Sequence, residues 1–516
     1  MGRGQGAAAA IAICAAFIFG CGRTPNHPAG YIQVDIETSP TSTDPRFATD
    51  AISSWVSELV FDSLVKVDRN GQFVGDLAGS IERPNDTTII FRLKPGVRFS
   101  DGRELTSRDV KFTYDSILDP ASMSLKRAGF AELKSIEAPD DSTIVMSTAH
   151  PFAPAMEMAT QEIVPDGTPP PLYNEAPAPP GTGAFKMVRY ARDDSAWLDR
   201  NPYRPVQADA LLGIVFKIVP DPTVRALELA EGVCDVSENN IEAYVLPYLG
   251  AQPNVVVNES PGTRYQYLML NFRNPQLRDV SVRRAIAYAI DRDAIANSFL
   301  RGTARVASGM LAPENWAYDG NVTKYSYDPA KARQLLDDAG YHAGADGMRD
   351  LTFIYKTTPE GARLAEVMQA MLRHVGIRVE IRSNEFATFY SDLQNGNFDL
   401  ASSRWIGIND PYQYYLVFDS KMTPPRGINR GAYANAEMDA LVEDGDRTID
   451  PAKRRAIYAR VQELAAQDLP YISLWWLQNV AVLNRDVTGF DPYPNGSLRS
   501  LATLKLIGPA GSEASQ

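Results

Sequence analysis

The chain has 516 residues, 44% hydrophobic and 22% charged, with a net charge of −12 and a pI of about 5.0. That length suits several domains or one large fold, and the composition is that of a soluble globular protein. The acidic balance argues against a dedicated nucleic-acid binder, which needs a basic face to neutralise phosphates. It is better explained as an ordinary solubilising envelope than as a lure for cationic solutes.

Arg3 opens a weakly basic segment, and Ala7–Gly20 is a run of 14 apolar or small residues. The run is shorter than the roughly 20 residues of a membrane-spanning helix but suits the core of a signal peptide. It ends Ile18-Phe19-Gly20-Cys21, which resembles a bacterial lipobox, with Phe19 where a small residue is commoner. Residues 1–20 are therefore expected to be a lipoprotein signal peptide, Cys21 the lipidated residue, and residues 21–30 a tether. Cys14 leaves with the signal and Cys21 carries lipid, so Cys234 has no partner for a disulfide. Stability must come from a large core. No later segment has 18 consecutive apolar residues, so no further membrane crossing is expected.

Tyr31–Glu37 alternates apolar and polar residues, the pattern of a half-buried strand, and runs into a turn-rich loop. In Phe61–Pro120, apolar runs at Thr88–Leu93 and Val97–Phe99 are broken by Asn85-Asp86, Pro95-Gly96 and Asp101-Gly102. The segment reads as strand, turn, short strand, turn and then a helix, with Thr106 and Ser107 as candidate N-caps. Ala138–Met146 is a turn and a strand, and the many prolines of Pro165–Pro180 make an exposed connection. Gly181-Thr182-Gly183 leads into a strand; as a phosphate loop it lacks both the following Lys-Ser/Thr and the helix. Leu211–Val219 is a strand, Pro222–Ala230 a helix, and Tyr265–Asn271 a strand. Val282–Ala294 has one apolar helical face, on which Arg283, Arg284 and Arg292 read as solvated or paired. A helix over Pro329–Gly340, a strand at Leu351–Tyr355, a helix over Ala362–Val375 stopped by Gly376, and a strand at Ile377–Ile381 follow. This alternation indicates α/β architecture.

Catalytic and metal signals are thin. His27, His150, His342 and His374 have no metal-ligand spacing, and no zinc-protease, nucleophile-elbow or Walker motif occurs. Cys234 lies in an apolar run and reads as packing. No cofactor, metal or enzymatic activity is expected.

The string LKPGVRFSDGRELTSRDVKFTYD closely resembles the signature of the extracytoplasmic solute-binding proteins of family 5, the peptide- and nickel-type receptors of ABC importers. Gly232-Val233-Cys234-Asp235 and the string VRRAIAYAIDR also resemble that family. The resemblance implies a two-lobed α/β periplasmic-binding-protein fold (type II, cluster C) with a hinge near Met269–Phe272. Lobe I would take residues 31–269, with an extra subdomain at about 60–190; lobe II would take 270–476, and 477–516 would return to lobe I. It also implies a monomer, lipid-anchored in the periplasm or at the cell surface, that passes an oligopeptide or other small solute to permease subunits. Alternatives are a nickel complex or oligosaccharide in the same role or, further off, a secreted enzyme on this scaffold.

Phe398-Asp399-Leu400-Ala401 leading to Trp405, Asp410 and Pro411 resembles the family's ligand-facing segment. In the peptide receptors an Asp three residues after this Trp meets the ligand's α-ammonium; here that position is Ile408. Asp410 could supply the charge from a shifted position, or cap a helix that Pro411 begins. The implied ligand set is Trp405 as a stacking wall, Arg404 for a carboxylate, Asp410, Ser39 beside Pro40 at the end of the first strand, and Trp475. Of Trp475 and Trp476, one is expected to face the cleft and the other to pack.

Overall fold

The computed structural model describes residues 27–170, 178–205 and 210–507. The expected signal peptide, Cys21, most of the tether, the centre of the proline-rich connection and the tail beyond residue 507 lie outside the described residues. Two long strands, Val255–Leu270 and Tyr471–Asn484, pair antiparallel along nearly their full length. Their sequences, VVVNESPGTRYQYLML and YISLWWLQNVAVLN, are rich in the β-branched and aromatic residues that pack well on a pleated surface. The register shifts between Ser260 and Arg264, where Pro261-Gly262-Thr263 intervenes. A Cβ on Gly262 would lie 2.3 Å from the Leu477 carbonyl oxygen, so only glycine allows the backbones this close.

This irregularity is where one hydrophobic core gives way to another. Before it, Val255 packs with Leu229, Cys234, Val480 and Val482. After it, Leu268 and Leu270 enter a core on one face of the sheet, and Tyr265, Tyr267 and Met269 enter a core on the other. The chain therefore changes lobe at residues 261–263, upstream of the expected Met269–Phe272, because YQYLML is a core strand of the second lobe rather than its connection.

Both crossing strands belong to one eleven-stranded sheet. On the first-lobe side Val236–Glu238, Tyr31–Ile36, Gly213–Ile218, Ser195–Arg200 and Phe185–Ala191 follow in that order. On the second-lobe side Leu400–Trp405, Thr352–Thr357 and Arg378–Ser383 follow. Tyr31–Ile36 is parallel to its two neighbours, whereas Leu400–Trp405 is antiparallel to the crossing strand and parallel to Thr352–Thr357. Strands from opposite lobes thus aim their carboxyl ends at the same gap, the place where open α/β sheets bind ligands.

The extra subdomain is a four-stranded antiparallel sheet, Ala78–Asn85, Thr88–Leu93, Thr143–Thr148 and Leu133–Asp140, packed on the helix Ser107–Leu118. Thr106 does precede that helix, and its amide donates to the Asp109 carboxylate at 2.7 Å. Val97–Phe99 is not a strand; Arg98 makes only an isolated bridge with Glu104, while Phe99 is buried beneath. The subdomain core spans Leu64 to Ile163, and Phe185–Ala191, inside the expected range of about 60–190, belongs to the main sheet.

Gly181 and Gly183 seat this strand against the end of the helix Ala51–Val60: a Cβ at Gly181 would sit 2.0 Å from the Val60 carbonyl oxygen. Gly181→Ala is expected to cost about 1–3 kcal/mol of stability, read as a lower urea midpoint, since backbone must move to relieve the overlap. An unchanged midpoint would refute this close-approach role.

The cleft between the lobes as candidate functional site

Where the first-lobe strands end, Glu37 follows Tyr31–Ile36, and Glu238-Asn239 closes Val236–Glu238. Arg264 enters from the crossing strand just after the irregularity. Its guanidinium donates to Asn239 Oδ1 and to the Gln478 carbonyl, both at 2.7 Å, but its Nε has no partner. Asn239 Nδ2 in turn donates to Glu238 Oε1 at 3.3 Å, while an oxygen of Glu238 and one of Glu37 are buried without a hydrogen bond. Burial pushes the Glu238 carboxyl up to about 8, more strongly than nearby Arg264 pulls it down. Burial likewise pushes Arg264 down to about 10, helped by the positive charge of Arg404 and opposed by Glu238 and Glu37. A buried charge left this incompletely paired is costly unless something else satisfies it.

Arg404 pairs in the sheet with Gln266, on the strand that carries Arg264. It is exposed, and its side chain has no hydrogen-bond or ion-pair partner among the described residues. Trp405, next along, is half-buried and stacks on Tyr267 at 6.0 Å, with the Arg430 guanidinium 5.8 Å from its ring. Its indole Nε1 also lacks a partner. Beyond Trp405, Asn409 Nδ2 reaches across to Oε1 of subdomain Glu157 at 3.4 Å. Glu157 is pushed up to about 7, by burial first and by Asp410's charge second. The lobes also meet where Ala153 N donates to the Asp446 carbonyl at 2.7 Å and Phe152 packs edge-on against Tyr412. Between them remains a cavity of about 30 Å³ lined by Val67, Thr263, Glu314, Ile408, Asn409 and Asn495, room for about one or two waters. The lobes are closed on each other.

Three expected site residues are placed elsewhere. Asp410 is 8% exposed and paired bidentately with Arg454 at 2.6 and 2.7 Å, and it also accepts from the Tyr412 amide at 2.8 Å. Its charge is already compensated, which leaves little for a ligand ammonium, and the helix Gln413–Phe418 that follows has Tyr412 rather than Asp410 at its N-cap. Ser39 is buried, bonding Asp193 through its hydroxyl in both directions. Trp475 is fully buried and donates to the Arg292 carbonyl at 3.0 Å, so it packs. Trp476 faces a cavity within the second lobe rather than the cleft. Glu37, Glu238 and Arg264 were missed: none lies in a motif, and only their places at strand ends beside the crossing could have marked them.

The profile described as "Bacterial extracellular solute-binding proteins, family 5 Middle" matches residues 72–423. The chain belongs to this family. Among family-5 relatives, it is 26% identical to a probable D,D-dipeptide-binding periplasmic protein of Escherichia coli, over 90% of this chain and 92% of that one. It is likewise 26% identical to the oligopeptide-binding protein AppA of Bacillus subtilis, over 90% and 89%. The solved structure of AppA with a nonapeptide superposes with a TM-score of 0.80 at 25% identity, covering 92% of this chain and 98% of that one. NikA of Brucella suis, solved with Fe(III)-EDTA, shares the fold at a TM-score of 0.84 and 22% identity, over 92% and 99%. This family-5 chain is accordingly a solute-binding protein on the two-lobed periplasmic-binding-protein fold.

Asp410→Ala strands the Arg454 charge in the interior and is expected to cost about 3–5 kcal/mol in chemical denaturation; a loss below about 1 kcal/mol would show the pair to be dispensable. The Glu238 carboxyl titrates at about 8 when folded against an ordinary 4.5, so the folded state holds the extra proton. Its contribution is full below pH 4.5 and is lost as pH rises through about 8. Stability should therefore fall less steeply between pH 5 and 8.5 in Glu238→Gln than in the parent; equal slopes would contradict this.

Proposed function

We propose that this protein is the extracytoplasmic receptor of an ABC importer, holding an oligopeptide between its lobes for delivery to the membrane permease. One observation carries the peptide reading. The exposed, unpartnered Arg404 guanidinium and the unpartnered carboxyl oxygen of Glu37 are both electrostatically linked to Arg264 at the strand ends. Opposite charges spaced about a cleft suit a zwitterion, with Arg404 meeting a carboxylate and Glu37 an ammonium. Trp405, flat-faced and with a free indole N–H, suits a side chain stacked beside the peptide backbone. The relatives that bind dipeptides and oligopeptides support the same reading.

With the lobes in contact through Asn409–Glu157 and Ala153–Asp446, a ligand enters as they separate about residues 261–263 and close again. Closure is driven only by the ligand's preference for the closed form. We further propose a lipid anchor at Cys21 and a monomeric state. A second reading, a solute with several carboxylates such as a metal chelate, draws on Arg264 and Arg404 lying side by side while position 408 is an isoleucine.

Native mass spectrometry of the purified protein, followed by calorimetry with the recovered ligand, tests the proposal. Arg404→Ala is expected to weaken a peptide with a free carboxyl terminus by about tenfold or more, the worth of a charge-assisted hydrogen bond, and to leave its amidated counterpart unaffected. Tight binding of a sugar or a metal complex, with no peptide bound, would overturn the peptide assignment.

A further inference from the structure

A sizeable cavity lies within the second lobe, away from the cleft. It measures about 250 Å³, and its walls include Tyr265, Met310, Tyr318, Tyr414, Phe418 and Trp476. Its exposed lining residues are Asp293, Thr323, Lys324 and Ser326, which set the mouth on the flank of the lobe. Entry therefore does not depend on closure.

Two features separate this space from a packing defect. Trp476, 4% exposed, lines it while its indole Nε1 lacks a hydrogen-bond partner. Arg292 also lines it, and its guanidinium donates only to neutral carbonyls: Ser473 at 2.9 Å, Ala307 at 3.5 Å, and Tyr325. No carboxylate lies within ion-pair distance of Arg292 among the described residues. Its lining sets aromatic rings beside polar groups such as Ser308, Gln462 and Ser473, a mixed wall suited to a ligand with an apolar body and a polar end.

We propose that this cavity is a second ligand site, independent of the cleft, for a small aromatic or aliphatic monocarboxylate. The apolar body lies among Tyr318, Phe418 and Trp476, and the carboxylate meets the Arg292 guanidinium, with which no carboxylate of the described residues forms an ion pair. The Trp476 N–H and the Tyr414 hydroxyl are further donors for an acceptor-bearing ligand. Lys324 at the mouth favours an incoming anion over a cation, although Asp293 tempers this.

The test is calorimetric titration of the full chain with benzoate and with benzyl alcohol, its uncharged counterpart. Benzoate is expected to bind at one saturable site, and benzyl alcohol about tenfold more weakly for want of the charge-assisted contact. Ala307→Leu places three more carbons in the cavity and should weaken benzoate about tenfold or more without weakening peptide binding in the cleft. Arg404→Ala should leave benzoate unaffected. Should Ala307→Leu fail to fold, Arg292→Lys decides the matter, with benzoate but not benzyl alcohol expected to weaken. No saturable benzoate binding to the parent chain, or binding lost in Arg404→Ala and kept in Ala307→Leu, would overturn the proposal.

Discussion

The antiparallel pairing of Val255–Leu270 with Tyr471–Asn484 is the constraint on which the rest of the molecule depends. Each strand serves two lobes, so each must satisfy two sets of core neighbours. The pairing is continuous enough to keep the lobes in one sheet, and it is interrupted once between them, at Pro261-Gly262-Thr263. Proline cannot donate to the ladder and glycine admits the Leu477 carbonyl at close range, so the interruption is written into residue type. Everything that meets at the cleft does so because strands on both sides of this break end there.

Charge is handled differently in the core and at the cleft. Away from the cleft, some buried arginines are heavily engaged: Arg283 donates to the carbonyls of Leu277, Arg278 and Asp468, and Arg454 grips Asp410. Such groups tie elements together, since a guanidinium can meet several acceptors in fixed directions. At the cleft, Glu37, Glu238, Arg264, Arg404 and Trp405 keep unused donors or acceptors. Unsatisfied polar groups cost stability, and these stand at strand ends beside the gap between the lobes, where a ligand can satisfy them.

Much of the fold was legible in residue patterns. Alternation picked out Tyr31–Glu37, the Pro222–Ala230 helix appeared over its expected span, and Gly376, with φ of 88°, stopped the Ala362–His374 helix. Local chemistry decides such features, and a one-dimensional reading captures it. The lobe boundary was misplaced because YQYLMLN looks the same whether it connects two lobes or belongs to one. Trp475 and Trp476 are adjacent and chemically identical, yet successive strand residues face opposite sides, so one packs in the core with Leu477 and the other lines a cavity.

The family could be read from the sequence alone, because its signature is a string of turns and caps whose geometry depends on neighbours a few residues away. The same resemblance singled out Trp405 and Arg404 as ligand-facing candidates. Asp410 was not decided by the sequence: whether a carboxylate is free for a ligand depends on a partner 44 residues further on, and Arg454 takes up both its oxygens. Glu37, Glu238 and Arg264 became a site only when strands distant in sequence ended side by side. Burial then removed the water that would have satisfied them, and only tertiary structure sets how much water a charge retains.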